Sequence, residues 1–279
     1  MPGLRGGTVV RDAGEPALLT RVIARSAVVP LFAQPSFRSE QVSQLVLGET
    51  GWIDERAGQW RRLRVDLDGY QGWVHEGYCV ETEDEIADRW RQDAGMWSLG
   101  ATVGIDGRRV ALPLRARVAM ASAEVRLPDG RSGVLLEGEV APAPAVASAA
   151  RAQPVERWAL ARFEGAPYEW GGVTPWGVDC SGLVQTAFAA RGIPLPRDAE
   201  LQVECGAVVD LDASRPGDLL FFRGESGDRI THVAFAAGED SLVHSTVACG
   251  GVLVESWLPG TRAGSLRDRL VAVRRLEAR

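Results

Sequence analysis

The sequence lacks lysine and asparagine altogether, and it is poor in histidine and cysteine. All 31 basic residues are therefore arginines, and only three histidines occur. The four cysteines lie far apart and form no CxxC pair, which excludes a disulfide framework and a zinc knuckle and favours a reducing compartment. These cysteines are Cys79, Cys180, Cys205 and Cys249.

Long apolar runs are also absent, so no segment reads as a helix that crosses a bilayer. The first 16 residues contain no apolar core of a secretory signal. We therefore expect a cytoplasmic protein, or a secreted one if a leader has been removed. The net charge of −6 disfavours nucleic acid and anionic membranes as partners. The sequence leaves the oligomeric state open.

Composition is that of an ordinary folded protein. Hydrophobic residues make up 46% of the 279 residues and charged residues 24%, which excludes intrinsic disorder. At about 150 residues per domain, the length indicates roughly two domains. The chain is rich in glycine and proline, which favours short strands over long helices.

Residues 17–82 have the pattern of a small all-β domain. Segment 60–65 alternates bulky and charged residues as a half-buried strand does, and Asp68-Gly69 predicts the turn before the last strand. The ending Gly69–Val74 resembles the C-terminal part of a bacterial SH3-like barrel. The predicted strands lie at 28–32, 44–47, 51–53, 59–65 and 72–74.

Residues 83–145 are predicted to form a second, divergent SH3-like barrel with a linker. A helix or linker at 83–98 precedes a β-rich stretch at about 99–140, which is divided by Asp106-Gly107 and Asp129-Gly130. The proline-alanine run 141–145 is typical of a semi-rigid linker. We therefore place the main domain boundary between about 141 and 152.

Residues 150–279 begin with helices and continue with strands, which predicts an α+β domain. One helix starts at Pro154 and a second at Asp179-Cys180, closed by Gly192. A short third helix runs from its cap Asp198 to near Gly206. The predicted strands lie at 218–222, 231–237, 241–247, 251–257 and 270–274.

Cys180, His232 and His244 are the residues of this domain that could carry chemistry together. Cys180 begins its helix, where unpaired N–H groups and the helix dipole favour a thiolate. If Gly238–Asp240 is a three-residue hairpin loop, paired residues sum to 478, and both histidines lie on one face of the sheet. One histidine can then take the cysteine proton while the other orients it.

Two other interpretations compete with nucleophilic catalysis. Cys180 could be a small core hydrophobe, as a lone cysteine on an apolar helix stripe usually is. A zinc site of one cysteine and two histidines is the other, although no paired ligand spacing supports it. We favour catalysis because the cysteine and both histidines occur together, and the sequence indicates no metal and no cofactor.

Several further motifs of the C-terminal domain carry a family resemblance. The stretch 167–184 is similar to the nucleophile segment of NlpC-type cell-wall cysteine peptidases, and 195–199, 215–219 and 231–233 match further motifs in the same order. With SH3-like domains ahead of it, the chain resembles the three-domain γ-D-glutamyl-L-diamino acid endopeptidases. The resemblance implies an α+β papain-like cysteine peptidase domain at the C-terminus, preceded by small all-β SH3-like barrels.

The same resemblance implies a role for each candidate residue. Cys180 is the expected nucleophile, His232 the general base and His244 the residue that orients it. Tyr168 is expected near the oxyanion, and Asp179 and Ser181 along the substrate cleft. The remaining candidates are expected to bind the substrate amine: Asp198, Tyr70 and Glu40. Glu49 is the alternative to Glu40, and a plain helix cap is the alternative for Asp198.

The implied activity is hydrolysis of the γ-D-glutamyl–diamino acid bond in short murein peptides with a free N-terminal L-Ala, within cell-wall peptide recycling. The substrate is therefore expected to be L-Ala-γ-D-Glu-diamino acid, and its diamino acid stays undetermined. The nearest alternative is a peptidoglycan hydrolase that acts on intact cell wall and uses its SH3-like domains as wall-binding modules. An acyltransferase or amidase on the same scaffold is a third possibility.

Overall fold

A computed structural model describes residues 20–276 of the chain. Its first domain consists of seven antiparallel strands in the order β3-β2-β6-β5-β4-β1-β7. In β5, Leu63 and Val65 point into the core while Arg62 and Arg64 face solvent, as the alternation predicts. The first three residues of the predicted barrel, 17–19, lie outside the described residues. The strands are β1 Arg21–Ala24, β2 Val28–Phe32, β3 Gln41–Val46, β4 Thr50–Ala57, β5 Trp60–Val65, β6 Gln71–His75 and β7 Cys79–Thr82.

The second domain is a five-stranded antiparallel barrel, entered through helix α1, Asp84–Asp93. Its strand order is β10-β11-β12-β8-β9, and β10 also pairs with β8, which closes the sheet. Both predicted turns occur, since Asp106 and Gly107, and also Gly130, have positive φ. The strands are β8 Met96–Ile105, β9 Arg108–Leu112, β10 Arg117–Ala121, β11 Glu124–Arg126 and β12 Ser132–Pro142.

The predicted linker at 141–145 is wrong. Strand β12 continues to Pro142, and helix α2 follows at once as Ala143–Arg151. Pro144 is tolerated because it lies in the first helical turn, where its missing N–H would have no acceptor, and alanine is the best helix former. Val146 and Ala150 of α2 pack in the core of the C-terminal domain. The second barrel and the C-terminal domain are therefore joined by structured, buried chain.

The C-terminal domain has the predicted order of helices followed by a β-meander. Strands β16 to β19 form the meander, β20 returns beside β16, and β15 lies at the edge. The helices are α3 Val155–Phe163, α4 Cys180–Ala190 and α5 Ala199–Gln202. The strands are β13 Val173–Thr174, β14 Gly177–Val178, β15 Ala207–Val209, β16 Leu219–Arg223, β17 Ile230–Ala236, β18 Ser241–Thr246, β19 Gly251–Ser256 and β20 Leu270–Arg275.

Two helix boundaries differ from the predictions. Pro154 is the cap residue of α3 rather than its first helical residue, so the helix begins at Val155. Helix α5 has only four residues and stops well before Gly206. No helix within residues 20–276 is long and apolar enough to cross a membrane.

Helix α4 is enclosed on nearly all sides. The predicted apolar stripe of Leu183, Val184, Ala187 and Phe188 is buried and belongs to one continuous core with α2, α3 and the sheet. Burial of each such large side chain contributes about 1.5–3 kcal/mol. The opposite side of α4 is buried too. On that side Thr186 donates a hydrogen bond to the Val173 carbonyl at 2.9 Å. Tight packing fixes the start of this helix.

Candidate active site

Cys180 is the first residue of α4, as predicted, and only 7% of its surface is exposed. Asp179 caps this helix end by accepting a hydrogen bond from the Gly182 N–H at 2.7 Å. The backbone N–H of Val233 in strand β17 lies close enough to the Cys180 sulfur to lower the pKa of the thiol. The nucleophile candidate is thus held between a helix start and the strand that carries His232.

The surroundings of Cys180 act on its thiol in opposite directions. Burial raises its pKa to about 12, and the negative charge of Asp179 acts in the same direction. Backbone N–H groups of Val233 and Ser181 and the charge of Arg197 lower the pKa. Desolvation therefore opposes the thiolate that the helix start favours.

His232 and His244 lie on adjacent strands and contact each other directly. Phe235 pairs with Val243, which is the predicted register with partners that sum to 478. Nε2 of His232 lies 2.9 Å from Nδ1 of His244. The prediction that the short hairpin loop brings both rings to one face is confirmed.

Both imidazoles are neutral. Burial lowers the pKa of His232 to about 3, and the charges of His244, Arg262 and Arg269 act in the same direction. Burial also lowers the pKa of His244, against the hydrogen bond and charge of Glu255. A neutral imidazole has an unprotonated ring nitrogen and can accept a proton from a thiol, as a general base must.

Glu255 contacts this pair and was missed by the sequence analysis. Its Oε2 lies 3.2 Å from Nε2 of His244, and Arg262 binds both carboxylate oxygens, with Nε 2.7 Å from Oε1. Leu242 pairs with Glu255, so Glu255 is the diagonal neighbour of His244 on the same face. If residues 247–250 are taken as the hairpin loop, the register that follows puts Glu255 beside His244 on the same face.

Asp179 and Ser181 are organised by a buried arginine, Arg197, of which 2% is exposed. Its guanidinium donates to Asp179 Oδ2 at 2.6 Å and to Ser181 Oγ at 2.8 Å. Its Nε reaches Ser43 Oγ of the first barrel at 3.2 Å. Asp179 is therefore a helix cap and an ion-pair partner as well as a residue that lines the cleft.

A cavity of about 590 Å³ lies between the first barrel and the C-terminal domain, with Cys180 in its wall. Both domains contribute side chains to the same space, so the barrel completes the cavity. The barrel supplies Glu40, Val42 and Tyr70, and the C-terminal domain supplies Asp179, Ser181 and Asp198 among others.

Tyr70 and Asp198 meet across the domain boundary. The Tyr70 hydroxyl interacts with the Asp198 carboxylate and lowers its pKa, against the opposite effect of burial. Asp198 occupies the cap position of α5, but its side chain makes no capping hydrogen bond. Burial raises the pKa of Asp198 and raises that of Tyr70 to about 12. The alternative of a plain helix cap for Asp198 is therefore wrong.

The turn before Tyr70 is anchored on helix α4. Asp68 Oδ1 accepts from the Tyr70 N–H at 2.9 Å, and Asp68 Oδ2 accepts from Nε2 of Gln185 at 2.7 Å. Gly69 has a φ of +73°, which glycine adopts without strain. The same helix thus positions Cys180 at its start and Tyr70 from its middle.

Strand β3 of the barrel docks on the segment before α4. Nε2 of Gln41 donates to Glu169 Oε1 at 3.0 Å and to the Trp170 carbonyl at 2.8 Å. Nε2 of Gln44 donates to the same Glu169 oxygen at 2.9 Å. These hydrogen bonds fix the barrel wall of the cavity relative to the nucleophile segment.

Glu40 and its alternative Glu49 occupy different places. Glu40 is exposed at the cavity rim, where its Oε1 accepts from the Trp170 indole N–H at 2.8 Å. Glu49 is buried at the interface with the second barrel, and its Oε1 lies 2.8 Å from Nε of Arg115. Of these two carboxylates, only Glu40 lines the cavity.

Tyr168 lies close enough to Cys180 for a charge on one residue to affect the pKa of the other. Burial raises the pKa of its hydroxyl, and the charges of Cys180 and Asp179 raise it further. A hydroxyl of this kind stays protonated and can donate a hydrogen bond. Its predicted position near the reacting thiol is consistent with these contacts.

The remaining cysteines and His75 have structural surroundings. Cys79 is buried in the barrel core, Cys205 is half-buried, and Cys249 is exposed. Nδ1 of His75 accepts from the Gly77 N–H at 3.1 Å and caps a turn. Among residues 20–276, no three histidine, cysteine or acidic side chains form a metal-binding group, so the zinc alternative has no ligand set there.

Comparison with known families matches two regions of the chain. The NlpC/P60 family matches residues 165–266, which include Cys180, His232 and His244. Residues 165–266 are an NlpC/P60 domain. The bacterial dipeptidyl-peptidase SH3 domain matches residues 31–77 of the first barrel. These two matches confirm the predicted fold class, in which an all-β SH3-like region precedes the C-terminal domain.

Curated relatives that this chain resembles include two named gamma-D-glutamyl-L-lysine dipeptidyl-peptidase. The one from Bacillus subtilis is 45% identical over 30% of this chain and 28% of its own length. The one from Bacillus cereus is 25% identical over 73% of this chain and 66% of its own length. The chain thus spans less than two thirds of either relative.

A solved NlpC/P60 structure from Bacillus cereus has the same domain arrangement. It superposes with a TM-score of 0.75 at 21% identity and covers 92% of this chain and 99% of its own. An endopeptidase of this family from Photobacterium damselae superposes with a TM-score of 0.63 at 15% identity, over 91% of this chain and 70% of its own. These likenesses establish the fold.

Proposed function

We propose that this protein is a cysteine dipeptidyl peptidase that hydrolyses the γ-D-glutamyl–diamino acid bond of short murein peptides with a free L-Ala amine. The cavity supports the proposal because it joins the nucleophile Cys180 to a pocket with Asp198 at its wall. The names of the two curated relatives support the same bond specificity, and they make lysine a diamino acid to test beside diaminopimelate.

The charge of the cavity favours an ammonium group. Four carboxylates line it, from Glu40, Asp179, Asp198 and Glu200, against the guanidiniums of Arg197 and Arg229. Arg197 is ion-paired with Asp179, and Arg229 with Glu200 at 3.0 Å. The carboxylates of Glu40 and Asp198 therefore remain to receive a substrate cation. A buried cation needs such paired partners, because an isolated one is costly to desolvate.

The reaction follows from the neutral catalytic pair. His232 takes the Cys180 proton as the sulfur attacks the γ-carbonyl carbon of D-Glu, and the carbonyl π electrons move to its oxygen. In this proposal the backbone N–H of Cys180 and the Tyr168 hydroxyl stabilise that oxyanion. The intermediate collapses as His232 returns the proton to the departing α-amine of the diamino acid. Water then hydrolyses the thioester and regenerates Cys180.

The one observation that carries this function is the cavity shared by the barrel and the peptidase domain, which has Cys180, Tyr70 and Asp198 in its lining. In this proposal Tyr70 and Asp198 bind the L-Ala amine, so that only a dipeptide lies between them and the cleaved bond. We expect L-Ala-γ-D-Glu-diaminopimelate to yield L-Ala-D-Glu and diaminopimelate, and the N-acetylated peptide to react far more slowly. Mass spectrometry of both digests tests this, and equal rates would contradict the free-amine requirement.

Free-amine murein peptides are released fragments, since the L-Ala amine of an intact wall stem is acylated. This chemistry supports a role in murein peptide recycling, and we extend the proposal to action in the cytoplasm. Fractionation of cells followed by immunoblotting tests the location. Recovery of the protein only outside the cytoplasm would favour the wall-hydrolase alternative.

A further inference from the structure

We propose that Glu255 is a positioning residue that fixes the protons of both active-site histidines. The row His232, His244 and Glu255 crosses strands β17, β18 and β19 on one face of the sheet. The inference concerns the catalytic pair of the proposed function, and it adds a residue beyond the predicted cysteine and histidines.

Hydrogen-bond chemistry assigns each proton in this row. A carboxylate only accepts hydrogen bonds, so at 3.2 Å from Glu255 the Nε2 of neutral His244 carries the proton. The Nδ1 of the same ring then has a lone pair, and it accepts from Nε2 of His232 at 2.9 Å. Nδ1 of His232 is consequently unprotonated. This is the ring nitrogen left to accept the Cys180 proton.

The carboxylate of Glu255 is itself held in place. Arg262 donates from two guanidinium nitrogens to its two oxygens, with Nε 2.7 Å from Oε1. The Glu255 side chain is 14% exposed and that of His244 is 1% exposed, so water does not replace this acceptor freely. The pair of Arg262 and Glu255 therefore orients His244, and through it the base.

A neutral amide at position 255 would disturb this order. Either orientation of a glutamine amide sets its NH₂ group against an N–H of Arg262. In one orientation that NH₂ group also donates to His244, which reverses the protons of both rings. We expect Glu255→Gln to lower kcat about 10- to 100-fold on the tripeptide while KM changes less than about twofold, because an outer partner that orients an imidazole typically contributes on this scale.

The proton positions can be read directly by nitrogen NMR. The chain has only three histidines, so the spectrum of ¹⁵N-histidine-labelled protein is simple, and His75→Gln removes the third ring. Wild type should show protonated Nε2 and unprotonated Nδ1 in both His232 and His244. The Glu255→Gln variant should show a mixed or reversed pattern. A protonated Nδ1 of His232 in wild type would overturn the assignment.

The pH profile gives a second readout that a purely structural role would not move. The charged groups that act on the two rings are Glu255, Arg262 and Arg269, and Cys249 lies beside Glu255, with its Sγ 3.9 Å from Oε2. Glu255 raises the pKa of His244, so its removal makes an imidazolium less favourable. The acid limb of kcat should move to lower pH in Glu255→Gln.

Asp240→Asn is the matched control, because Asp240 forms a comparable pair with Arg267 at 2.9 Å in the same domain. Its kcat and ¹⁵N pattern should equal those of wild type. If Glu255→Gln fails to fold, Arg262→Gln tests the same row, with a several-fold loss of kcat expected. Unchanged kcat and an unchanged ¹⁵N pattern in a folded variant would refute the proposal. The NMR result needs no substrate, so failure of wild type to cleave the tripeptide would count against the proposed function alone.

Discussion

Replacing Asp198 by asparagine tests how the substrate amine is recognised. The carboxylate lines the cavity, and the hydroxyl of Tyr70 interacts with it across the domain boundary. In the proposed complex it would also accept from the substrate ammonium. The Asp198→Asn change keeps the shape of the side chain and removes its charge, so it separates electrostatic recognition from packing.

The size of the effect follows from the burial of this carboxylate. Truncating one partner of a buried, hydrogen-bonded charge pair costs about 2–5 kcal/mol. The cavity is open at its rim, where Glu40 offers a second carboxylate, so we take about 2–4 kcal/mol as the range. At about 1.36 kcal/mol per factor of ten, kcat/KM on the free tripeptide should fall about 30- to 900-fold. The rate on the N-acetylated peptide, which carries no ammonium, should barely change.

The assay measures kcat/KM on both peptides for wild type, Asp198→Asn and a control. Asp212→Asn is a suitable control, since Asp212 is an exposed aspartate of the same domain. It should leave both rates unchanged. Equal losses on the free and the acetylated peptide would refute the reasoning, because Asp198 would then act on the structure or the chemistry rather than on the amine.

Three further outcomes are expected. His232→Ala should abolish turnover because it removes the base, whereas His244→Ala should leave a measurable rate because it removes only the residue that orients the base; initial rates on the tripeptide decide this. Iodoacetamide labelling of Cys180 is measured by peptide mapping in a Cys249→Ser background. The labelling rate should continue to rise with pH above pH 9, because the thiolate is the reacting form and burial raises the thiol pKa to about 12. Glu156→Gln should raise the free energy of unfolding by about 1–2 kcal/mol at pH 8 and hardly at pH 4, as measured by urea denaturation.

The expected effect of Glu156→Gln depends on the direction in which burial shifts the pKa of Glu156. Glu156 is buried, its Oε2 has no hydrogen-bond partner among residues 20–276, and burial raises its pKa. The unfolded chain therefore loses this proton first, and stability falls as the pH rises from the ordinary glutamate pKa to the raised one. A glutamine does not ionise and escapes this loss. Glu164→Gln, at the exposed end of α3, is the control.

Each of these expectations can fail. A more damaging His244→Ala would exchange the roles of the two histidines. A Cys180 labelling rate that levels off below pH 8 would indicate a thiolate–imidazolium pair in the empty site. A Glu156→Gln variant that is less stable than wild type at pH 8 would mean that the buried carboxylate has a compensating partner.

The catalytic row was only partly predictable from the sequence. The three-residue loop at 238–240 fixes the β17–β18 register. The contact of His232 with His244 therefore followed from counting residues outward from the loop along both strands. Glu255 was missed because its place depends on the next register, across the turn at 247–250. Arg197 lay within a quoted motif, but nothing local in the sequence indicates that its guanidinium is buried against Asp179.

Tertiary packing overrode one local pattern and opposes another. The run 141–145 looks like a linker, yet alanine-rich α2 gains enough by burying Val146 and Ala150 to be helical. The helix start favours a Cys180 thiolate, but the enclosing barrel and sheet desolvate it. The degree to which a neighbouring domain covers a side chain cannot be read from sequence periodicity.

The central claim is that the protein cleaves released murein peptides and not the intact wall. The most direct measurement is a parallel digest of free L-Ala-γ-D-Glu-diaminopimelate and of intact sacculi, with Cys180→Ala protein as the blank and mass spectrometry of the soluble products. We expect L-Ala-D-Glu and diaminopimelate as products of the free tripeptide, and we expect no cleavage after γ-D-Glu in the sacculi. Comparable cleavage of the sacculi, where the L-Ala amine is acylated, would contradict it.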